Sequence, residues 1–275
     1  MQCINPQTQS VVADFGSKAR FYNECLLTEA QRNQSDVVLV SPRNPLNIGA
    51  VARAMANFGF SRLSVVAPFE AHWREARSAV GAPELLRDAQ EHSTLAEAIA
   101  GNTLVIGTGT RTHRKPEQPA VLLPALTSRV EEEIASGGCV ALVFGSEKRG
   151  LTREDLSRCH LLVEISTDAR QPSMNLGQAV AVCLYELTRR GPGPAEPRQM
   201  AEAERGAASG ALDRLAGVIE ETMTTSGYPP QIMQAANRHD LRVLLRRLSW
   251  TEADAKRALG VFRRVLWRLQ HPGKS

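Results

Sequence analysis

Three loop-to-helix junctions carry the residues whose types and spacing could do chemistry. The middle one, residues 145–152 (GSEKRGLT), follows an apolar run and precedes a helical pattern. In α/β proteins, ligands bind where a parallel strand leads into a helix. The spacing nearly matches a phosphate-binding loop, but Leu151 replaces its lysine and Glu147 would repel a polyanion. The junction therefore predicts a ligand with positive charge or hydrogen-bond donors rather than a nucleoside triphosphate.

The first junction, residues 41–53 (SPRNPLNIGAVAR), leads from an apolar strand into a helix. Asn47 is expected to cap this helix, and Gly49 would allow another backbone to come close. Arg53 is expected to project from a face other than the apolar stripe. A guanidinium in that position can hold an anion.

The third junction, residues 171–178 (QPSMNLGQ), also begins a helix, and Ser173 and Asn175 can donate and accept hydrogen bonds there. Taken singly, helix caps and tight turns would explain most of these residues. The occurrence of all three junctions in this order is the stronger indication of a shared site.

The elements that must position these junctions alternate along the chain. Apolar runs predict strands at residues 37–40, 63–67, 104–108, 140–144 and 161–165. Periodic patterns predict helices at residues 47–58, 71–78, 94–100, 127–135, 152–158 and 176–190. Continuous apolar strands separated by helices predict an α/β fold, with a mostly parallel sheet covered by helices on both faces.

Composition narrows the class of protein. Of the 275 residues, 23% are charged and 43% hydrophobic, with no apolar stretch of membrane-spanning length and no charged-then-apolar leader. We therefore expect a soluble cytoplasmic protein with no membrane contact. The five cysteines lie far apart and form no Cys-x-x-Cys pair. This spacing predicts reduced thiols and no metal site.

Four segments are predicted along the chain. Residues 1–35 would form an N-terminal arm of unknown role, 36–190 the α/β domain, 191–199 a linker rich in proline and glycine, and 200–275 a helical extension. Helices are expected at 211–224, 240–248 and 252–269, the last with Ser249 and Glu252 as a capping box. From Arg238 onward the sequence has ten Lys or Arg and three acidic residues. This excess of positive charge is typical of a segment that binds a polyanion, and also of a solvated helix face.

The ordered junctions resemble the three motifs of the SpoU-type branch of the SPOUT superfamily, the S-adenosyl-L-methionine (AdoMet)-dependent RNA 2'-O-ribose methyltransferases. The matches are N-x-G-A-x-A-R at residues 47–53, F-G-x-E-x-x-G-L at 144–151 and S-[LM]-N-L at 173–176. Met174 stands where leucine is commoner, a change that conserves volume. The similarity covers about residues 36–190. The basic C-terminal extension resembles the subgroup that methylates tRNA at position 32 of the anticodon loop.

The resemblance implies a parallel sheet flanked by helices with a C-terminal trefoil knot, plus a small all-helical C-terminal extension. It also implies that AdoMet binds at the knot. In this family the cofactor pocket and the acceptor arginine come from different protomers, so a homodimer is expected. The implied cofactor contacts are Thr108, Gly109, Thr110, Gly145, Ile165, Ser173, Met174 and Asn175, with Glu147 as a further candidate.

Methyl transfer from a sulfonium is an in-line displacement, so we expect positioning to dominate catalysis. The resemblance assigns Arg53 to the acceptor ribose, either as a base or as a clamp for the developing alkoxide. The clamp is favoured because a guanidinium is too weak a base at neutral pH. The other catalytic candidates are Asn47, Glu147, Ser173 and Asn175, of which Glu147 and Asn47 could orient each other or the cofactor loop. RNA contacts are expected from Arg43, Arg53, Arg111, Arg114, Lys115, Arg242 and Arg246.

Two alternatives remain open from the sequence. A methyltransferase acting on ribosomal RNA or on another tRNA position would share every motif. A non-catalytic RNA-binding homologue would keep the basic tail and fail to bind AdoMet.

Overall fold

The computed structural model describes residues 27–109, 117–189, 205–228 and 234–271. Four of the predicted site residues, Thr110, Arg111, Arg114 and Lys115, lie outside these ranges, as do the predicted linker at 191–199 and most of the N-terminal arm. Within the described ranges, every helix is too short or too polar to cross a lipid bilayer.

Seven strands form one sheet in the order β3-β2-β1-β6-β4-β7-β5, and every neighbouring pair is parallel. The predicted parallel α/β fold is therefore confirmed. The strand order alone does not define a knot, so the trefoil stays a prediction. The strands are β1 (Ser35–Val40), β2 (Arg62–Val66), β3 (Gln90–His92), β4 (Leu104–Thr108), β5 (Ala120–Leu122), β6 (Val140–Phe144) and β7 (Leu161–Glu164).

Helices cover both faces of this sheet and form the C-terminal extension. The helix predicted at 71–78 is wrong for most of its length, since only a 3-10 turn at Trp73–Glu75 forms there. A second 3-10 turn lies at Leu123–Ala125. The α-helices are α1 (Glu29–Arg32), α2 (Pro45–Phe58), α3 (Pro83–Asp88), α4 (Leu95–Ala98), α5 (Leu126–Ala135), α6 (Arg153–Leu156), α7 (Leu176–Thr188), α8 (Ser209–Thr225), α9 (Gln234–Arg247) and α10 (Glu252–Gln270).

The central strands are buried on both faces, which explains their continuous apolar sequences. In β1, Val37 and Leu39 point into a core that includes α2, α5 and α7. Val38 and Val40 point into a second core on the other face, together with Leu95 of α4. The sheet thus lies between two apolar layers. The loops at the carboxyl ends of the strands lie outside these layers and can form a ligand site.

Helix α2 begins at Pro45, two residues earlier than predicted. Asn44 is its N-cap, because the Asn44 side chain accepts a hydrogen bond from the Leu46 N–H at 2.9 Å, and Pro45 takes the first helical position. The prediction that Asn47 caps the helix is therefore wrong. Asn47 lies inside the first turn, where its side-chain amide can bond to residues of other elements.

Two glycines let α2 pack closely against its neighbours. A Cβ on Gly49 would lie 2.2 Å from Ser78 Oγ, and one on Gly177 of α7 would lie 2.8 Å from Ala50 Cβ. Neither distance is sterically allowed, so a side chain at either position would push α2 away. The first and third junctions are consequently fixed relative to each other.

The N-terminal boundary of the domain lies earlier than predicted. Leu27 is fully buried in the main core. Arg32 donates through Nη1 to the Leu27 carbonyl at 2.7 Å and through Nε to the Gly59 carbonyl at 3.2 Å. Residues from Leu27 onward therefore belong to the domain, and the boundary at 36 is too late.

The C-terminal helices pack on one another through Leu215, Leu245 and Phe262. Helix α10 is capped by Thr251, whose hydroxyl accepts from the Asp254 N–H at 3.1 Å. The predicted capping box of Ser249 and Glu252 is wrong, since Ser249 adopts a left-handed φ of 46° ahead of the cap.

The helical extension is bonded to the α/β domain. At the start of α8, the Ser209 N–H and hydroxyl both donate to the Asn102 carbonyl at 2.8 Å. The Asn102 amide in turn donates to Asp36 Oδ2 of β1 at 2.7 Å, and all three residues are buried. Asn102 therefore bonds both to the helical extension, through its carbonyl, and to the amino-terminal part of β1, through its side chain.

Candidate active site

A cavity of about 390 Å³ opens at the carboxyl ends of β4, β6 and β7. Parallel sheets place ligands at this edge. Predicted site residues from separate parts of the sequence meet here, and those that line the cavity are Thr108, Gly109, Gly145, Glu147, Ile165, Ser173 and Met174.

The turn at residues 145–151 forms one wall of the cavity and closes tightly on itself. Ser146 O accepts from the Gly150 N–H at 2.7 Å, and Gly150 has a left-handed φ of 64°. A Cβ on Gly145 would lie 2.1 Å from the Gly150 carbonyl carbon. Leu151 is 1% exposed and anchors the turn in the core. The spacing of the glycines and the leucine thus serves the turn itself.

Glu147 joins the second junction to the first. Its Oε1 accepts from Asn47 Nδ2 at 2.8 Å and from the Asn44 N–H at 3.2 Å, while Oε2 accepts from the Arg43 N–H at 2.9 Å. Partial burial raises the pKa of Glu147, but these donors together outweigh it and hold the pKa below its ordinary value. Glu147 is therefore ionised and engaged by three donors.

Asn47 and Asn175 extend this connection to the third junction. Asn175 Nδ2 donates to Asn47 Oδ1 at 2.9 Å, and Asn175 Oδ1 accepts from the Gly177 N–H at 2.9 Å. Asn175 thus caps α7 and also bonds across 128 residues of sequence. Glu147 and Asn47 are therefore bonded to each other, one of the two arrangements that the sequence allows.

The opposite edge of the cavity is mostly backbone. Thr108 Oγ1 donates to the Val143 carbonyl at 3.1 Å, so its hydroxyl is directed at the sheet. The Gly109 N–H donates to the Val163 carbonyl at 3.2 Å. A Cβ on Gly109 would meet no atom of the described residues within 4 Å. The absence of a side chain at Gly109 therefore leaves open space along the cavity edge.

Arg53 does not line this cavity. It lies six residues after Asn47 on α2, which places it about 120° around the helix axis from Asn47 at ~100° per residue. Its side chain is exposed, and it forms no ion pair with any other residue in the described part of the chain. A single chain thus keeps the guanidinium apart from its own cavity.

Two of the arginines predicted to contact RNA instead hold the helical extension to the domain. Arg246 has a side chain 1% exposed, and it donates to Asp213 Oδ1 at 2.8 Å and to the Arg158 carbonyl at 2.9 Å. Arg242 pairs with Glu154 and is 16% exposed. The prediction for Arg246 is wrong because its guanidinium is enclosed, and Arg242 already has a carboxylate partner.

One group with metal-ligand chemistry was not foreseen from the sequence. Ligand atoms of Glu117, His239 and Asp240 lie within 4.8 Å of one another. Arg153 Nη2 donates to Glu117 at 2.9 Å, and this hydrogen bond is the main reason that the pKa of Glu117 is lowered. The guanidinium supplies the positive charge that a metal ion would bring, so we assign no metal site here.

Two of the three thiols in the described ranges are buried and unreactive. Cys139, Cys159 and Cys183 are free, as predicted. Burial raises the pKa of Cys159 to about 12 and that of Cys183 to about 12. Both therefore stay protonated, and neither offers a thiolate nucleophile.

The fold and site together define an α/β protein with a cavity at the carboxyl edge of a parallel sheet, next to three turns that are hydrogen-bonded to one another. The model of the SpoU rRNA Methylase family matches residues 34–185. The chain belongs to this family.

Curated relatives and solved structures agree with this assignment. The tRNA (cytidine/uridine-2'-O-)-methyltransferase TrmJ of Escherichia coli O6:K15:H31 is 32% identical over 87% of this chain and 96% of its own length. The tRNA (cytidine/uridine/adenosine-2'-O-)-methyltransferase TrmJ of Pseudomonas aeruginosa is 41% identical, over 55% of this chain and 59% of that protein. The crystal structure of TrmJ from Z. mobilis ZM4 superposes with a TM-score of 0.73 at 28% identity, covering 84% of this chain and 98% of that one.

Proposed function

We propose that this protein transfers a methyl group from AdoMet to a ribose 2'-hydroxyl of tRNA, at position 32 of the anticodon loop. The observation that carries the proposal is the cavity lined by the second and third family motifs, together with the hydrogen bonds beside it that join both motifs to the first. The full-length similarity to a tRNA 2'-O-methyltransferase supports tRNA as the substrate. Position 32 stays a prediction from the character of the C-terminal extension. A tRNA substrate is also the reason for expecting a cytoplasmic protein.

The residues that line the cavity fit AdoMet. Small-molecule sites typically have volumes of ~300–1,000 Å³ and apolar walls with a few polar groups. Met174 and Ile165 are apolar lining residues, and Gly109, which has no side chain, presents its backbone at the edge. The ionised Glu147 suits a cationic ligand. When bound, AdoMet supplies an electrophilic methyl group on a sulfonium.

Arg53 is proposed to hold the acceptor nucleotide. Because a guanidinium is a poor general base, Arg53 would stabilise the developing alkoxide and the neighbouring phosphate rather than remove the proton itself. Because Arg53 lies away from the cavity of its own chain, we propose that a second copy brings its Arg53 to that cavity. The active form would then be a homodimer with two composite sites.

Methyl transfer can be measured with tritiated AdoMet and unmodified tRNA, followed by mapping of the 2'-O-methyl group. Arg53→Ala is expected to abolish turnover while AdoMet affinity, measured by calorimetry, stays within about twofold. Arg87→Ala is a matched control, because Arg87 is exposed on α3 and its ion pairs are with Glu84 and Asp88 of the same helix. Retained methylation in Arg53→Ala would rule out the assigned role, and failure of the wild type to bind AdoMet would rule out the activity.

The composite site has its own test. Arg53→Ala can be mixed with Gly109→Leu, a variant whose new side chain enters the cavity. Each is expected to be inactive alone. After subunit exchange about a quarter of wild-type activity should return, because half of the dimers are mixed and each has one intact site. If no activity returns although sedimentation shows mixed dimers, the two residues act within one chain.

Ribosomal RNA is the second candidate substrate, since the matching family model is described by that activity. Parallel assays with unmodified ribosomal RNA and tRNA separate the two. A non-catalytic RNA-binding protein would bind RNA in these assays with no AdoMet heat in calorimetry.

A further inference from the structure

A second cavity of about 430 Å³ lies beside the first, at the carboxyl ends of β1, β2 and β6. We call it the Phe69 groove. One wall is formed by the residues that follow β1 and β2, namely Ser41, Arg43, Ala67 and Phe69. The other wall is the outer side of the turn at residues 145–151, with Lys148 and Gly150. Residues 148–150 also line the AdoMet cavity. One turn therefore separates the two spaces, and the groove adjoins the reacting centre.

The backbone of the groove is held in an unusual conformation. Ser41 and Ala67 follow the adjacent strands β1 and β2, and they have left-handed φ angles of 47° and 42°. Residues with a Cβ seldom adopt such angles, and where they do the strain often accompanies function. Hydrogen bonds from the Ser41 N–H to the Val66 carbonyl at 2.8 Å and from the Phe69 N–H to the Pro42 carbonyl at 3.1 Å keep both turns in place.

These turns present an aromatic ring to solvent. Phe69 is 63% exposed, and the Arg43 guanidinium lies 4.4 Å from its ring centroid. The Arg43 backbone is itself held by Glu147. The pair is thus fixed to the wall of the AdoMet cavity, and the ring has a large surface still available to a ligand.

The charges around the groove favour an anion with a flat apolar part. Arg43 and Lys148 are exposed cations on its rim. The acid on the rim, Asp155, is engaged in the capping box with Thr152 at the start of α6. A protein partner would call for a wider apolar surface than one ring. A nucleotide offers both a base to stack and a phosphate to pair.

We propose that Phe69 is a stacking platform for a nucleobase next to the methylated nucleotide, with Arg43 and Lys148 holding the adjoining phosphates. This inference rests on the proposed function and extends it. Every base has a π-face, so the platform orders the RNA chain without selecting its sequence. Phe69 is a positioning residue in this scheme, because it holds a neighbour of the acceptor and does not touch the reacting atoms.

Kinetics with unmodified tRNA test the platform. Phe69→Ala is expected to raise KM for tRNA roughly 5- to 100-fold, the usual effect of losing one stacked base. Phe69→Trp should keep KM near that of the wild type, and AdoMet affinity in calorimetry should not change in either variant. Tyr228→Ala is the matched control, since Tyr228 is 62% exposed on the helical extension.

A fluorescence signal separates stacking from a merely structural effect. tRNA carrying 2-aminopurine beside the acceptor nucleotide should be quenched on binding to the wild type and to Phe69→Trp, and quenched much less by Phe69→Ala. An active Phe69→Ala enzyme with unchanged KM and quenching would overturn the proposal. A sedimentation coefficient showing that Phe69→Ala dissociates a dimer would also overturn it, because the ring would then be a dimer contact. Inactivity of the wild type on every RNA would instead count against the proposed function.

Discussion

A glutamine at position 147 would keep the shape of the Glu147 side chain while removing its charge and one of its acceptor oxygens. Oε1 accepts from Asn47 and Asn44, and Oε2 accepts from Arg43. A glutamine NH₂ must face one of these donors, so at least one hydrogen bond is lost. A hydrogen bond to a charged acceptor contributes ~1.5–3 kcal/mol to the free energy of unfolding when it is buried. Because Glu147 is partly exposed to solvent, we assign ~1 kcal/mol to each of its three hydrogen bonds. We therefore expect Glu147→Gln to cost about 1–2 kcal/mol and Glu147→Ala about 3 kcal/mol.

Urea unfolding at neutral pH measures both losses. The folded-state pKa of Glu147 is lowered, so its charge stabilises the protein above the ordinary pKa of 4.5 and that contribution is lost as the pH falls through the folded-state pKa. The gap between wild type and Glu147→Gln should therefore narrow below pH 4.5. Glu84→Gln is the control, because Glu84 is exposed and forms an exposed ion pair with Arg87 one turn away. A gap that stays constant through the acid range would refute the reasoning.

Two other substitutions follow from the packing. Gly145→Ala places a Cβ 2.1 Å from a carbonyl carbon of its own turn. Because overpacking costs ~1–3 kcal/mol, AdoMet affinity in calorimetry should fall roughly tenfold. Unchanged affinity would contradict the tight turn, and Gly260→Ala, where the new Cβ enters open space, is the control. Arg246→Met leaves the partly buried Asp213 without one of its partners and should lower the free energy of unfolding by ~3 kcal/mol. Exposed Arg257→Met should have no such effect, and equal losses in both variants would argue against the ion pair.

The fold could be predicted as far as burial leaves a mark on the sequence. Strands β1, β2, β4, β6 and β7 each contain at least three buried apolar residues because helices cover both faces. Strands β3 and β5 have three residues each and no fully buried residue, so they leave no such pattern. The 3-10 turn at Trp73–Glu75 shows the converse error, since one buried tryptophan in a polar stretch does not make a helix.

The site could be located but not assembled from the sequence. The glycines and caps marked the junctions, yet the bonds from Asn47 to Glu147 and to Asn175 span 100 and 128 residues. The cap at Asn44 had a local signal in Pro45, which favours the first helical position. Arg246 had none, because a basic residue on a helix looks the same whether it faces solvent or a buried carboxylate.

The position of β6 in the sheet has a consequence for biosynthesis. This strand lies between β1 and β4, and both precede it in the chain. Both neighbours of β4, β6 and β7, follow it in the sequence, so β4 has no pairing partner until residue 140 has been synthesised. Pairing of this kind requires closure of long loops, which slows folding relative to chains rich in local contacts. During synthesis β1 therefore stays unpaired on one side and β4 on both sides until β6 is made and completes the middle of the sheet.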